Sequence, residues 1–207
     1  SDVYKGQHSD ELSFELMAED LAELIADLGI EKAHVLGHSM GGKTAMKFAD
    51  IHPDKLEKLI IVDIAPKKYQ PGHTAYFEAF NMINFSLFET RKEADTALAE
   101  IESNIGIRQF LLKNLDKADV GYQLKFNLKP IEAFYPKMID AMGLQWIISV
   151  PTLFIYGEKS GYIIENDMLT IEETFTESRF VEIPDAGHWV HAEQPNAFYN
   201  VVLDFLA

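Results

Sequence analysis

Ala33-His34-Val35-Leu36-Gly37-His38-Ser39-Met40-Gly41-Gly42 holds the reading that decides the fold. The apolar run Ala33–Leu36 predicts a buried strand. The glycine-rich stretch 37–42 predicts a tight turn, and a helix follows through Ala45, Met46, Phe48 and Ala49, broken before Pro53. Gly37-x-Ser39-x-Gly41 thus falls between a strand and a helix, the setting in which such a serine stands at a strained, exposed turn. Side chains two residues to either side of Ser39 are expected to collide there, which makes both positions glycine. The Met40 N–H, at the start of the helix, is left free to stabilise an oxyanion.

Strand and helix signals alternate on both sides of this turn. Phe14, Met17, Leu21, Leu24, Ile25 and Leu28 recur at helical spacing, Gly29 ends the run, and Ser13 or Asp10 can cap its start. Leu59-Ile60-Ile61-Val62 predicts a second buried strand ending at Asp63. Residues 152–156 predict a third, 165–175 a helix, and 179–183 a fourth strand. Phe198, Val201, Val202, Phe205 and Leu206 mark a final helix. This alternation implies an α/β fold, a parallel sheet with helices on both faces. Residues 66–148 break the pattern. They contain no comparable aliphatic run, many aromatics and helical spacing at Ala94, Ala97, Leu98 and Ile101, and so predict a helical insertion. The expected division is 1–65, first part of the core; 66–148, the insertion; and 149–207, second part of the core.

The 207-residue chain suffices for one domain with a sizeable core. Its formal net charge is −15, and the charge is unevenly placed. The insertion carries 10 basic and 10 acidic side chains, the flanking segments 8 and 23. Such acidity repels phosphate backbones and argues against nucleic acid as a partner. Without cysteine, thiolate catalysis, disulfides and zinc–thiolate sites are excluded; no metal or cofactor is expected. No apolar run reaches the ~18 residues of a membrane span. Ser1-Asp2-Val3-Tyr4-Lys5 has no apolar signal core, which predicts a cytoplasmic location.

Asp185-Ala186-Gly187-His188-Trp189 is the second chemical signal, between the last strand and the last helix. A serine hydroxyl is a weak nucleophile and needs a base; imidazole fits, its pKa lying near neutrality. His188 is the expected general base. An acid must fix its tautomer and stabilise its charged form. The turn after the third strand, Gly157-Glu158-Lys159-Ser160-Gly161, has no aspartate, so Asp63, at the end of the neighbouring strand, is preferred and Glu158 is the alternative. His38, Trp189 and the insertion aromatics Phe77, Phe80, Phe110 and Phe134 are candidate substrate-binding residues, although any of these phenylalanines could serve packing alone.

The segments Gly37–Lys43, Ile61–Pro66, Gln109–Lys113, Phe126-Asn127 and Gly187–Pro195 resemble those of bacterial YbfF-type esterases of the α/β-hydrolase superfamily. The resemblance runs over nearly the whole chain. It implies the α/β-hydrolase fold with a helical cap at 66–148. It also implies cofactor-free hydrolysis of acyl esters or thioesters, and an acid at the end of the strand before the cap, which is Asp63 here. Alternatives on this scaffold are a C–C hydrolase or lyase and a non-catalytic ligand receptor. Such folds begin with further strands and an oxyanion loop that this sequence lacks. The chain is therefore expected to be a fragment, with the Ala33–Leu36 strand as an exposed edge open to self-association.

Overall fold

The computed structural model describes residues 11–207. Helix α1 (Phe14–Asp27) begins at Ser13, whose side chain accepts the Leu16 N–H at 3.0 Å; the alternative cap, Asp10, lies outside the described residues. In chain order follow β1 (Ala33–His38), α2 (Met40–Ile51), β2 (Leu56–Val62), α3 (Thr74–Met82), α4 (Arg91–Ala99) and α5 (Ile105–Leu112). Then come β3 (Leu115–Lys117), β4 (Tyr122–Leu124), α6 (Leu128–Ile139), β5 (Thr152–Gly157), α7 (Glu165–Thr174), β6 (Ser178–Ile183), α8 (Val190–Glu193) and α9 (Pro195–Leu206).

Two compact units result. Residues 13–69 and 140–207 form the first, residues 70–139 most of the second. In the first unit β1, β2, β5 and β6 form a four-stranded sheet in that order, every pair parallel. Side-chain alternation splits the central strands between two cores. Leu59, Ile61 and Phe154 face a cluster with Ala18, Ala22 and Ile25 of α1, Met46, Phe48 and Ala49 of α2 and Ile171 of α7. Ile60, Val62, Leu153 and Ile155 face the other way, onto Val190 and the Phe198, Val202 and Phe205 side of α9. Near-continuous aliphatic strands are what burial on both faces demands. Among the described residues β1 is an outer strand of the sheet, and its Leu36 is 47% exposed.

The second unit packs Phe80, Phe85, Ala94, Leu98, Leu112 and Leu115 into a core of its own. It is mostly helical, as expected, but includes the short antiparallel hairpin β3–β4. Three-residue strands are too short to show alternation, so this hairpin was not legible as periodicity.

One feature of α2 departs from an ordinary amphipathic helix. Lys43, Lys47 and Asp50 are all buried, at 1%, 5% and 2% exposure. Each meets the irregular segment by which the chain returns from the second unit. The Lys43 ammonium donates to the Asp140 carbonyl at 2.6 Å and Lys47 to that of Gly143 at 3.1 Å. Asp50 Oδ1 accepts the N–H groups of Gln145 and Trp146, while its Oδ2 binds Lys47 at 3.0 Å. The charged stripe thus supplies partners to backbone that has no ladder. Lys43 also donates to the Lys67 carbonyl, and burial pushes its pKa down to about 8 against the opposing pull of Asp140.

Candidate active site

The parallel strands β1, β2 and β5 and the loop after β6 converge at one end of the sheet, the carboxyl end, where α/β proteins place their sites. Ser39 follows β1 directly. Its N–H bonds the Val62 carbonyl at 3.0 Å, and its carbonyl accepts the N–H groups of Gly42 and Lys43 as α2 begins. Its φ of 54° is positive, an uncommon conformation for a residue with a side chain. Met40 is the first residue of α2, so its N–H is one of the donors that a helix start leaves without an intrahelical acceptor.

The glycines around Ser39 divide differently from the expectation. A Cβ at Gly37 would lie 2.2 Å from the Gly41 carbonyl oxygen, and one at Gly42 2.4 Å from a methyl of Ile64. A Cβ at Gly41 would meet nothing within 4 Å. Steric exclusion therefore acts at 37 and 42, and the reading that it requires glycine on both sides of the serine, at 37 and 41, is corrected.

Asp63 follows β2 with a φ of 51°, its N–H held by the Ile155 carbonyl at 2.8 Å, and it is fully buried. Its Oδ2 stands 2.7 Å from His188 Nδ1, and His188 Nε2 stands 3.1 Å from Ser39 Oγ. A carboxylate can only accept, so Nδ1 carries the proton and Nε2 is bare toward the serine hydroxyl. The structure thus brings Ser39, His188 and Asp63 into one hydrogen-bonded series. Glu158, the alternative acid, is elsewhere: it accepts the Asp185 N–H at 2.8 Å.

Several neighbours were not singled out from the sequence. Ser160 donates to Asp63 Oδ2 at 2.5 Å and accepts the Tyr162 N–H; Gly157 N–H approaches Oδ1 at 3.3 Å. Tyr162 stacks on the His188 ring, centroids 3.9 Å apart and planes 20° from parallel. Glu193 accepts the N–H groups of Gly187 and Trp189, gripping the histidine loop on both sides of His188. Gly157 is where β5 meets that loop, since a Cβ there would fall 2.3 Å from the Gly187 carbonyl oxygen. The absence of aspartate from 157–161 was the one available signal, and it pointed to Asp63 without revealing that Ser160 would bind it.

Of the candidate substrate-binding residues, His38 binds the His188 carbonyl at 2.8 Å, and Trp189 lies 5.9 Å from the His38 ring. In the second unit Phe80 belongs to the unit's own core, beside Phe85 and Phe126. Phe134 is buried, Phe77 packs on Tyr135 with centroids 5.1 Å apart, and Phe110 is 44% exposed. Among the described residues no group of three or more His, Asp and Glu side chains is placed to hold a metal ion, and no helix is long and apolar enough to cross a membrane.

The chain is 35% identical over 206 residues to the sn-1-specific diacylglycerol lipase ABHD11 of Mus musculus, covering 97% of this chain and 67% of that protein. It is 33% identical over 197 residues to esterase YbfF of Escherichia coli, covering 94% of this chain and 75% of that protein. A solved marine microorganism esterase superposes with a TM-score of 0.92 at 43% identity, over 96% of this chain and 79% of that one. The chain thus spans two thirds to four fifths of the length of these relatives. Residues 1–195 match the alpha/beta hydrolase fold, and with the parallel sheet and the serine turn above, the chain belongs to that family.

Proposed function

We propose that the protein is a serine hydrolase of carboxylic esters, with Ser39 as nucleophile, His188 as general base and Asp63 as the acid that orients His188. The observation that carries the reading is the unbroken series Asp63 Oδ2–His188 Nδ1 and His188 Nε2–Ser39 Oγ, at 2.7 and 3.1 Å. Relatives named as esterases and lipases support the same chemistry.

Ser39 Oγ attacks the ester carbonyl as its proton passes to His188 Nε2. The oxyanion that forms takes a hydrogen bond from the Met40 N–H, aided by the positive end of α2. The protonated imidazole gives its proton to the departing alkoxide, leaving Ser39 acylated. Water, deprotonated by His188, then attacks the acyl carbon, and as the bond to Ser39 Oγ breaks the imidazolium returns its proton to that oxygen, freeing the acid and Ser39. Buried Asp63 stabilises the transient imidazolium; its second partner, Ser160, keeps the carboxylate hydrogen-bonded when the imidazole is neutral. A small-molecule acyl ester is the proposed substrate, and an acyl thioester would follow the same steps with a thiolate leaving group.

The test is labelling with a fluorophosphonate followed by a panel of p-nitrophenyl esters. Labelling at Ser39, lost in Ser39→Ala together with esterase activity, is the expected result. Labelling or turnover that survives Ser39→Ala overturns the assignment.

A further inference from the structure

His188 and Ser39 come from the two ends of the strand order β1-β2-β5-β6 formed by the described residues. Ser39 follows β1 and His188 lies in the loop after β6, with β2 and β5 between those strands. The loop must therefore reach over two strand ends to set Nε2 within 3.1 Å of Ser39 Oγ. Glu193 grips it, but from α8, on the loop's own side of the sheet. A bond that ties the backbone of this loop to β1 is made by His38, the residue just before the serine. Its Nε2 lies 2.8 Å from the His188 carbonyl oxygen, and its ring lies 4.7 Å from the His188 ring and edge-on to His191 at 4.9 Å. A carbonyl offers no proton, so His38 Nε2 must be the donor.

We propose that His38 is a positioning residue, one that fixes the distance between nucleophile and base by anchoring the His188 backbone to the end of β1. The inference rests on the serine hydrolase reading above. It assigns His38 to the catalytic geometry, in place of the substrate contact expected from its sequence position. Residues 38 and 39 then reach the same histidine in parallel, one by its carbonyl and one by its imidazole, so a shift of the loop is resisted where it would matter. Burial lowers the His38 pKa, with the charges of His188 and His191 acting in the same direction and the His188 carbonyl and Asp63 opposing. The ring is accordingly held neutral and adds no charge beside the imidazolium that forms during turnover.

The experiment compares His38→Phe, which keeps a ring and loses the donor, with His38→Gln, whose amide Nε2–H occupies the same place. Misplacement of reacting groups by ~1 Å costs ~10²-fold. On that scale kcat for p-nitrophenyl acetate should fall ~10- to 100-fold in His38→Phe, with KM within ~3-fold, and His38→Gln should recover most of the loss. A change in KM alone would return His38 to the substrate pocket, and a His38→Gln variant as impaired as His38→Phe would show that the donor is irrelevant; either overturns the proposal. Should His38→Phe fail to fold, 15N NMR of the His38 ring in the unmodified protein decides. A proton on Nε2 supports the anchor, and one on Nδ1 alone refutes it. This spectrum does not depend on turnover, so failure of the anchor is distinguishable from failure of the Ser39 assignment.

Discussion

Asp63 does at the residue scale what the strand end beside it does not. The carboxylate at the end of β2 meets His188 Nδ1, whereas Glu158, in the turn after β5, accepts the Asp185 N–H. The Asp63→Asn variant should therefore lose activity by ~10⁴-fold, the cost of releasing the imidazole from its correct tautomer in a comparable triad. Glu158→Gln, which keeps an oxygen for the Asp185 N–H, should remain close to the parent in the same p-nitrophenyl assay. The reverse ranking would move the acid to the later strand. Ser39 and His188 were legible as candidates because each sits in a local run of glycines and apolar residues that names its own setting. Asp63 was legible as a candidate in two ways, by elimination of the turn 157–161 and through the resemblance. Ser160, Tyr162 and Glu193 were not, because their roles depend on which strand lies next to which, and a strand order of β1-β2-β5-β6 is not written in any one segment. The glycine reading failed for a related reason. The crowding at Gly42 comes from Ile64, beyond β2, and no local spacing shows it. Gly41→Ala should thus leave the melting temperature unchanged or raised, since Ala exceeds Gly by up to ~1 kcal/mol in a helix. Gly37→Ala, meeting the Gly41 carbonyl, should lower it. Thermal unfolding of both variants checks the distinction; equal losses would show that both positions are closed.

At the scale of elements, the sequence patterns located the four core strands and their helices to within a few residues, because burial on two faces writes long aliphatic runs. They described α2 by its apolar side alone. The buried stripe Lys43, Lys47 and Asp50 reads in sequence like a solvated face, and only the returning segment 140–146 shows what it is for. Asp50 pairs with buried Lys47 and accepts two backbone N–H groups. The Asp50→Ala variant would leave a buried ammonium without this carboxylate and two amides without acceptors. Breaking a buried pair by removing one partner costs ~3–5 kcal/mol. Urea unfolding should show a loss of that order, with Asp50→Asn, which retains one acceptor oxygen, less affected. A loss below ~1 kcal/mol, typical of an exposed pair, would show that the stripe is solvated after all.

For the molecule as a whole, the uneven charge and the histidine cluster predict two separable responses. The net charge of −15 is carried by the segments flanking 66–148, and those segments also supply the sheet. Like charges concentrated on a compact core oppose its folding. Exposed pairs such as Lys159–Asp185 offset little of this. Salt shortens the Debye length from ~30 Å at 0.01 M to ~8 Å at 0.15 M, so added NaCl should raise the melting temperature at pH 7. Acid acts through a different group. His38 has a lowered pKa in the folded state, chiefly from burial. Between that value and the unfolded value of ~6.5, the unfolded chain binds a proton that the folded chain refuses. Its contribution to stability is complete above ~6.5 and falls as the pH drops toward the folded value. His38→Gln removes this titration but leaves the net charge at pH 7 unchanged. The variant should therefore keep the salt response in full while showing a shallower loss of stability from pH 7 to 5. Denaturation profiles of both proteins across pH and NaCl measure the two slopes. If the slope between pH 7 and 5 is the same with and without His38, the cluster around His188 does not hold that ring neutral. If NaCl lowers the melting temperature, the surface ion pairs outweigh the repulsion that the acidic core implies.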